Sequence, residues 1–177
     1  MNRAGKGQYG PEDLKRMKQI LGAVRDWVGN FQDHMETGLS LIFVGDVGTG
    51  KNHLSSAAIN YIIEKFVRPC HFTSITKIFL EIKDSYEHKG KTELQILRRY
   101  LSYDLLVLNE LGLHPGTDLE FEKINWLVNE RIDMNKPFIL ISNLGLEDLK
   151  PIIGDRLTDR MATHKILQFS WPSFRGT

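Results

Sequence analysis

Cysteine is almost absent from this 177-residue chain. The single Cys70 cannot close an internal disulfide, which suits a reducing compartment and excludes a disulfide-stapled scaffold. No apolar run approaches the roughly 20 residues that a membrane helix needs. The opening MNRAGKGQYGPED also lacks the apolar core of a signal peptide, so the chain reads as cytoplasmic with no membrane partner. The six histidines (34, 53, 71, 88, 114 and 164) have no metal-ligand spacing, and a histidine-held metal centre is not expected. Charge excess is missing too. With 23 Lys and Arg against 22 Asp and Glu the formal net charge is +1, so any surface for nucleic acid would have to be local. Internal repeats and low-complexity stretches are absent, which excludes repeat architectures.

What remains is 41% hydrophobic and 25% charged, the composition of one soluble globular domain. Residues 1–10 read as a flexible Gly-rich lead-in and residues 11–177 as the domain. From Pro11 the apolar residues Leu14, Met17, Ile20, Leu21, Val24, Trp27, Val28 and Phe31 fall at helical spacing, with Glu12 and Asp13 in the first turn. A break is expected at Glu36–Gly38. The apolar runs Leu39–Val44 and Leu105–Leu108 read as short buried strands, and His71–Ile75, Phe138–Ser142 and Ile166–Phe169 as three further strands. Helical patterns separate them: Leu54 to Phe66, Ile78–Tyr86, Thr92–Tyr100, Asp118–Met134 and Pro151–Ala162. Strands alternating with helices predict an α/β fold with a parallel sheet covered on both faces.

The first strand runs straight into Gly45, Asp46, Val47, Gly48, Thr49, Gly50, Lys51 and Asn52, with His53 next, and a helix follows. This is a P-loop except at its last position. Glycines let backbone N–H groups turn inward around phosphate oxygens, and the helix adds its positive N-terminal end. Lys51 supplies a point charge for the outer phosphates. The alternative, a Gly-rich turn with an exposed lysine, does not account for the position between an apolar strand and an amphipathic helix. ATP or ADP is therefore the expected ligand. The usual final Ser or Thr gives a hydroxyl to Mg²⁺, and Asn52 stands in its place.

P-loop proteins also place a carboxylate at the end of a neighbouring strand to hold Mg²⁺, and many follow it with a glutamate that orients the attacking water. Here Leu105–Leu108 ends in Asn109 and Glu110. Glu110 is a candidate general base, its alternative being a solvated strand-end carboxylate. Both positions expected to reach the metal, Asn52 and Asn109, are neutral amides. Nucleotide binding with slow or absent hydrolysis is the expectation, with Mg²⁺ weakly held.

These residues resemble a specific group, the DnaC-type bacterial and phage helicase loaders with the related IstB transposition helpers. The resemblance is carried by GDVGTGKNHLSSAAIN, LLVLNELG, ISNLGLEDLKPIIGDRLTDRM and the ending FSWPSFR, and covers roughly Asn2 to Arg175. It implies a three-layer P-loop NTPase fold of the AAA+ kind on a parallel five-stranded sheet. Only a short stretch follows the strand ending near Asn143, so the helical lid is expected to be absent or minimal. Asn at position 52 is similar to the enterobacterial loaders, whereas Asn109 departs from the family's Asp-Glu pair. By the same resemblance Asn143 looks like the residue that senses the γ-phosphate. Arg160 resembles an arginine finger offered to a neighbouring subunit, and Arg175 the second sensor. Alone, Asn143 reads equally as a turn cap, and Arg156 and Arg160 as a solvated helix face beside Asp155 and Asp159.

The resemblance further implies self-association with Arg160 acting in trans, single-stranded DNA, and a replicative DNA helicase as partners. Loaders of this kind grip the helicase through an additional N-terminal segment. These residues start almost at the ATPase core, Met1 reading as a start codon before a trimmed core, so helicase contact is expected outside them. For DNA the matching region is about residues 75–99, with Lys77, Lys83, Lys89, Lys91, Arg98 and Arg99 and the aromatics Phe79 and Tyr86. Glu81, Asp84, Glu87 and Glu93 share it, and an ordinary charged helix surface remains the alternative. Two other functions stay open: an IstB-like transposition helper, and a non-hydrolysing module in which nucleotide only stabilises the fold.

Overall fold

The computed structural model describes residues 9–87, 90–112 and 118–175, the side chains of 118–120 excepted. Most of the lead-in expected over residues 1–10 lies outside the described residues. Tyr9, its first described member, is half-buried against the domain.

Five strands form one parallel sheet: β1 (Leu41–Gly45), β2 (Cys70–Ser74), β3 (Leu105–Asn109), β4 (Phe138–Ile141) and β5 (Lys165–Phe169), in the order β2-β3-β4-β1-β5. Between them run α1 (Pro11–Gly29), α2 (Phe31–Thr37), α3 (Lys51–Phe66), α4 (Ile75–Glu87), α5 (Glu93–Ser102), α6 (Asp118–Asp133), α7 (Leu146–Ile153) and α8 (Asp155–Met161).

The central strands β1, β3 and β4 are apolar along nearly their whole length because helices cover both faces of the sheet, whereas the edge strands β2 and β5 carry His71, Thr73, Ser74, Lys165 and Gln168. Alternate residues sort by face. Ile42, Val44, Leu106, Leu108, Phe138 and Leu140 join the core beneath α4–α8, while Leu41, Phe43, Leu105, Val107, Ile139 and Ile141 join the core beneath α1–α3. The expected three-layer α/β architecture is therefore present. No helix among the described residues is long and apolar enough to cross a membrane.

Two helix boundaries differ from expectation. The apolar spacing through Phe31 suggests one helix, but the chain breaks at Asn30 and restarts as α2, so that Phe31 lies fully buried and α2 runs to Thr37. The helix expected over Pro151–Ala162 is two helices, α7 and α8. Leu149, Ile153, Leu157 and Met161 are all buried and four apart, which mimics one continuous face. Gly154 interrupts it with φ +79°, a conformation that side chains resist. Pro151 sits inside α7 without ending it.

Arg131, in the last turn of α6, is fully buried. Its guanidinium donates to the carbonyls of Tyr100, Tyr103, Asp104 and Pro137 at 3.1, 3.0, 3.1 and 2.7 Å. The segments ahead of β3 and β4 are thereby tied at the amino ends of the strands. Desolvation pulls the Arg131 pKa down to about 9, partly opposed by Asp104. The carboxyl ends, where the loops diverge, are left for the site.

Candidate nucleotide site

The loop after β1 encloses its own lysine. Lys51, only 4% exposed, donates its ammonium to the carbonyls of Gly45 at 2.6 Å and Asp46 at 2.7 Å. The Thr49 hydroxyl lies 3.4 Å from Nζ and itself donates to Asp46 O at 2.8 Å. Burial lowers the Lys51 pKa to about 8, with Asp46 opposing the shift. An anion arriving here meets a cation already desolvated and aimed. The N-terminus of α3, a helix of 16 residues, adds its free N–H groups to the same side.

Neighbouring strands supply the polar flank. Asn109 ends β3, and Glu110 follows with φ +70°, a strained conformation that turns the chain out of the sheet. Ser142, 1% exposed, braces this corner. Its hydroxyl donates to Leu111 O at 2.8 Å and accepts from Leu144 N at 3.1 Å, while Leu111 N donates to Ile141 O at 3.0 Å. Glu110 and Asn143 are thus fixed by one buried hydroxyl between them.

The opposite flank comes from the segment after β5. Trp171 donates its indole N–H to Thr49 O at 3.1 Å, and Phe174 N donates to Gly48 O at 2.8 Å. Gly48, at φ +81°, is required twice over: a Cβ there would fall 1.9 Å from Ser173 Oγ.

A cavity of about 600 Å³ results, within the range of small-molecule sites. Val47, Gly48, Gly50, Lys51, Asn52, His53, Asn109, Glu110, Asn143, Phe174 and Arg175 line it. Gly45, Asp46 and Thr49 form the frame behind it. Every site residue expected from sequence except Arg160 is thus in or beside one cavity. Phe174 was not expected.

The IstB-like ATP binding protein family matches residues 28–170, most of the chain. The chain belongs to that family. This IstB-like chain is 31% identical over 158 residues to the replicative helicase loader DnaC of Escherichia coli K12, covering 88% of itself and 63% of that protein. It therefore spans less than two thirds of that relative's length. It also resembles the crystal structure of the DnaC helicase loader, at TM-score 0.78 and 26% identity over 92% of this chain and 94% of that one. A further likeness is to the replication initiator DnaA bound to AMPPCP and single-stranded DNA, at TM-score 0.69 and 25% identity, covering 93% of this chain and 47% of that one.

The donor set of the IstB-like site suits a nucleotide better than a metal. Lysine, loop and helix end match a polyphosphate. For Mg²⁺ the cavity offers three amides, Asn52, Asn109 and Asn143, and the single carboxylate Glu110. Among the described residues no three His, Cys, Asp or Glu side chains could hold a metal ion. Magnesium normally takes its protein ligands from one or two carboxylates, so the fit is poor.

Arg160 lies elsewhere. It sits in the last turn of α8 and pairs with Asp133, the last residue of α6, rather than with Asp155 or Asp159. Both helices end there just ahead of strands, so the pair is at the rim opposite the cavity, roughly 16 Å away for a five-residue strand.

The basic region is only partly open. Lys77, Lys83, Lys91 and Arg98 are exposed, and Lys89 lies outside the described residues. Arg99 is paired with Glu81 and lies over the Tyr100 ring, while Phe79 packs against the core. Tyr86 is 64% exposed, but its hydroxyl donates to Glu93 and accepts from Lys123 at 2.8 Å.

Proposed function

We propose that this chain is the ATP-binding core of a DNA replication helicase loader, whose nucleotide state controls assembly on single-stranded DNA and on the replicative helicase. The observation that carries the reading is the convergence of Lys51, Asn52, Asn109, Glu110 and Asn143 on one cavity in a chain 31% identical to a replicative helicase loader. The DnaA likeness, described with AMPPCP and single-stranded DNA, supports the same two ligands.

In this reading Lys51 and the loop amides hold the phosphates, and Glu110 orients the attacking water. Asn143 contacts the terminal phosphate, and Arg175, from the β5 side, reaches back across the loop toward the phosphate chain. Arg160 cannot reach the cavity of its own chain and serves a neighbour's nucleotide, which requires head-to-tail assembly. DNA is followed by Lys77, Lys83, Lys91 and Arg98, with Tyr86 as a stacking candidate.

Hydrolysis is slow because Asn109 removes a negative charge where the metal is ordinarily held. Phosphate release with and without single-stranded DNA tests this. The Asn109→Asp variant is expected to raise turnover by about tenfold or more, in the range of a single electrostatic contribution. An unchanged rate would refute the role given to Asn109. A transposition helper is favoured over a loader only by the name of the matching family. Capture of a transposase rather than a replicative helicase by a full-length protein would favour that helper.

A further inference from the structure

We propose that Phe174 is the platform on which the base of the bound nucleotide stacks, so that it selects nucleoside triphosphates over bare polyphosphate; this rests on the nucleotide reading above. The sheet order supplies the argument. Across β3-β4-β1-β5, the loop of β1 is flanked on one side by Asn109, Glu110 and Asn143 and on the other by the segment that follows β5. A ligand whose phosphates lie on the loop, with its terminal phosphate toward the polar flank, extends its nucleoside toward the β5 side. Phe174 is the aromatic that the cavity offers there, and its apolar neighbour is Val47.

The Phe174 ring is 54% exposed, yet its segment is firmly seated. Its own N–H is bonded to Gly48 O at 2.8 Å, and Trp171, three residues earlier, is 6% exposed and bonded to Thr49 O. The ring also rests on Gly50, with one carbon 3.3 Å from where a Cβ would stand. Tyr9 backs it, with ring centroids 5.3 Å apart at 50° and the Tyr9 hydroxyl donating to Ser173 O at 3.4 Å. A large aromatic held rigid from behind and left open into a ligand cavity has little ordering entropy left to lose. Every base presents a π-face, so such a platform favours heteroaromatic ligands without reading hydrogen bonds.

Calorimetric titrations with ATP and with inorganic tripolyphosphate, on the wild type and on Phe174→Leu and Phe174→Tyr, test the assignment. Leucine keeps apolar contact with Gly50 and Tyr9 but removes the π-face. Phe174→Leu is expected to weaken ATP roughly tenfold, within the range of base–aromatic stacking. Tripolyphosphate affinity should stay unchanged, and Phe174→Tyr should retain ATP. Equal loss of both ligands would mean that Phe174 only shapes the phosphate loop, and would overturn the assignment. So would unchanged ATP affinity in Phe174→Leu, which leaves the nucleotide reading standing. Wild-type protein that binds neither ligand overturns both.

Discussion

Gly48→Ala perturbs the junction of the phosphate loop with the segment after β5, and its cost can be worked from the structure. The new Cβ would fall 1.9 Å from Ser173 Oγ and 2.9 Å from Ser173 Cβ, so rotating the hydroxyl alone cannot relieve the overlap. Holding a non-glycine residue at φ +81° adds about 1–2 kcal/mol. Displacing Ser173 also releases the bond from Phe174 N to Gly48 O, worth about 1 kcal/mol. The total is about 2–4 kcal/mol, which for a domain of this size lowers the melting temperature by roughly 5–15 °C. Thermal unfolding followed by circular dichroism without nucleotide measures it. Adding Ser173→Gly removes the steric part but leaves the backbone strain and gives up the bond that Arg175 N donates to Ser173 Oγ at 3.0 Å, so the double variant should regain only part of the loss. A Gly48→Ala protein that melts within about 1 °C of wild type, or a double variant that regains nothing, would refute this account.

Two further outcomes follow from buried cations. Arg131→Met strands the carbonyls of Tyr100, Tyr103, Asp104 and Pro137, each left unsatisfied at about 1–3 kcal/mol, and urea unfolding should show a loss of about 3 kcal/mol or more. Lys51 gives a pH dependence with a definite sign: its folded pKa, about 8, lies below the ordinary lysine value of 10.5, so between these values the unfolded chain holds a proton that the folded chain has shed. Stability from this group therefore rises with pH across that window, while phosphate binding, which needs the ammonium, weakens above pH 8 by at most about tenfold per unit. Titrations from pH 7 to pH 10 should show that fall in wild type and a flat profile in Lys51→Met.

The strands and the front of the site were legible because they rest on local pattern. Four-residue apolar runs mark the three central strands, and Gly45–Asn52, Asn109-Glu110 and Asn143 sit at strand ends where a parallel sheet gathers ligands. What escaped depends on distant partners. Arg131 reads as the polar face of α6, since nothing local announces four carbonyls converging on it. Arg160 suggests pairing within its own helix, but finds Asp133, 27 residues earlier. Phe79 and Tyr86 look equivalent in sequence, yet one packs into the core and the other stands out. Phe174 lies in the ending FSWPSFR, where nothing local marks it as a lining residue, and only the course of the chain after β5 brings it to the cavity.

The separation of the cavity from Arg160, at opposite rims of one sheet, has a consequence for assembly dynamics. On the loader reading, a row of these chains has two chemically unlike ends. At one end a protomer holds nucleotide that no neighbour completes, and at the other an arginine stays latched to Asp133. Growth and shortening would then be polar, as in any filament whose terminal subunits differ. Arg160→Ala and Lys51→Ala protomers, doped at low fraction, would poison opposite ends of the same row.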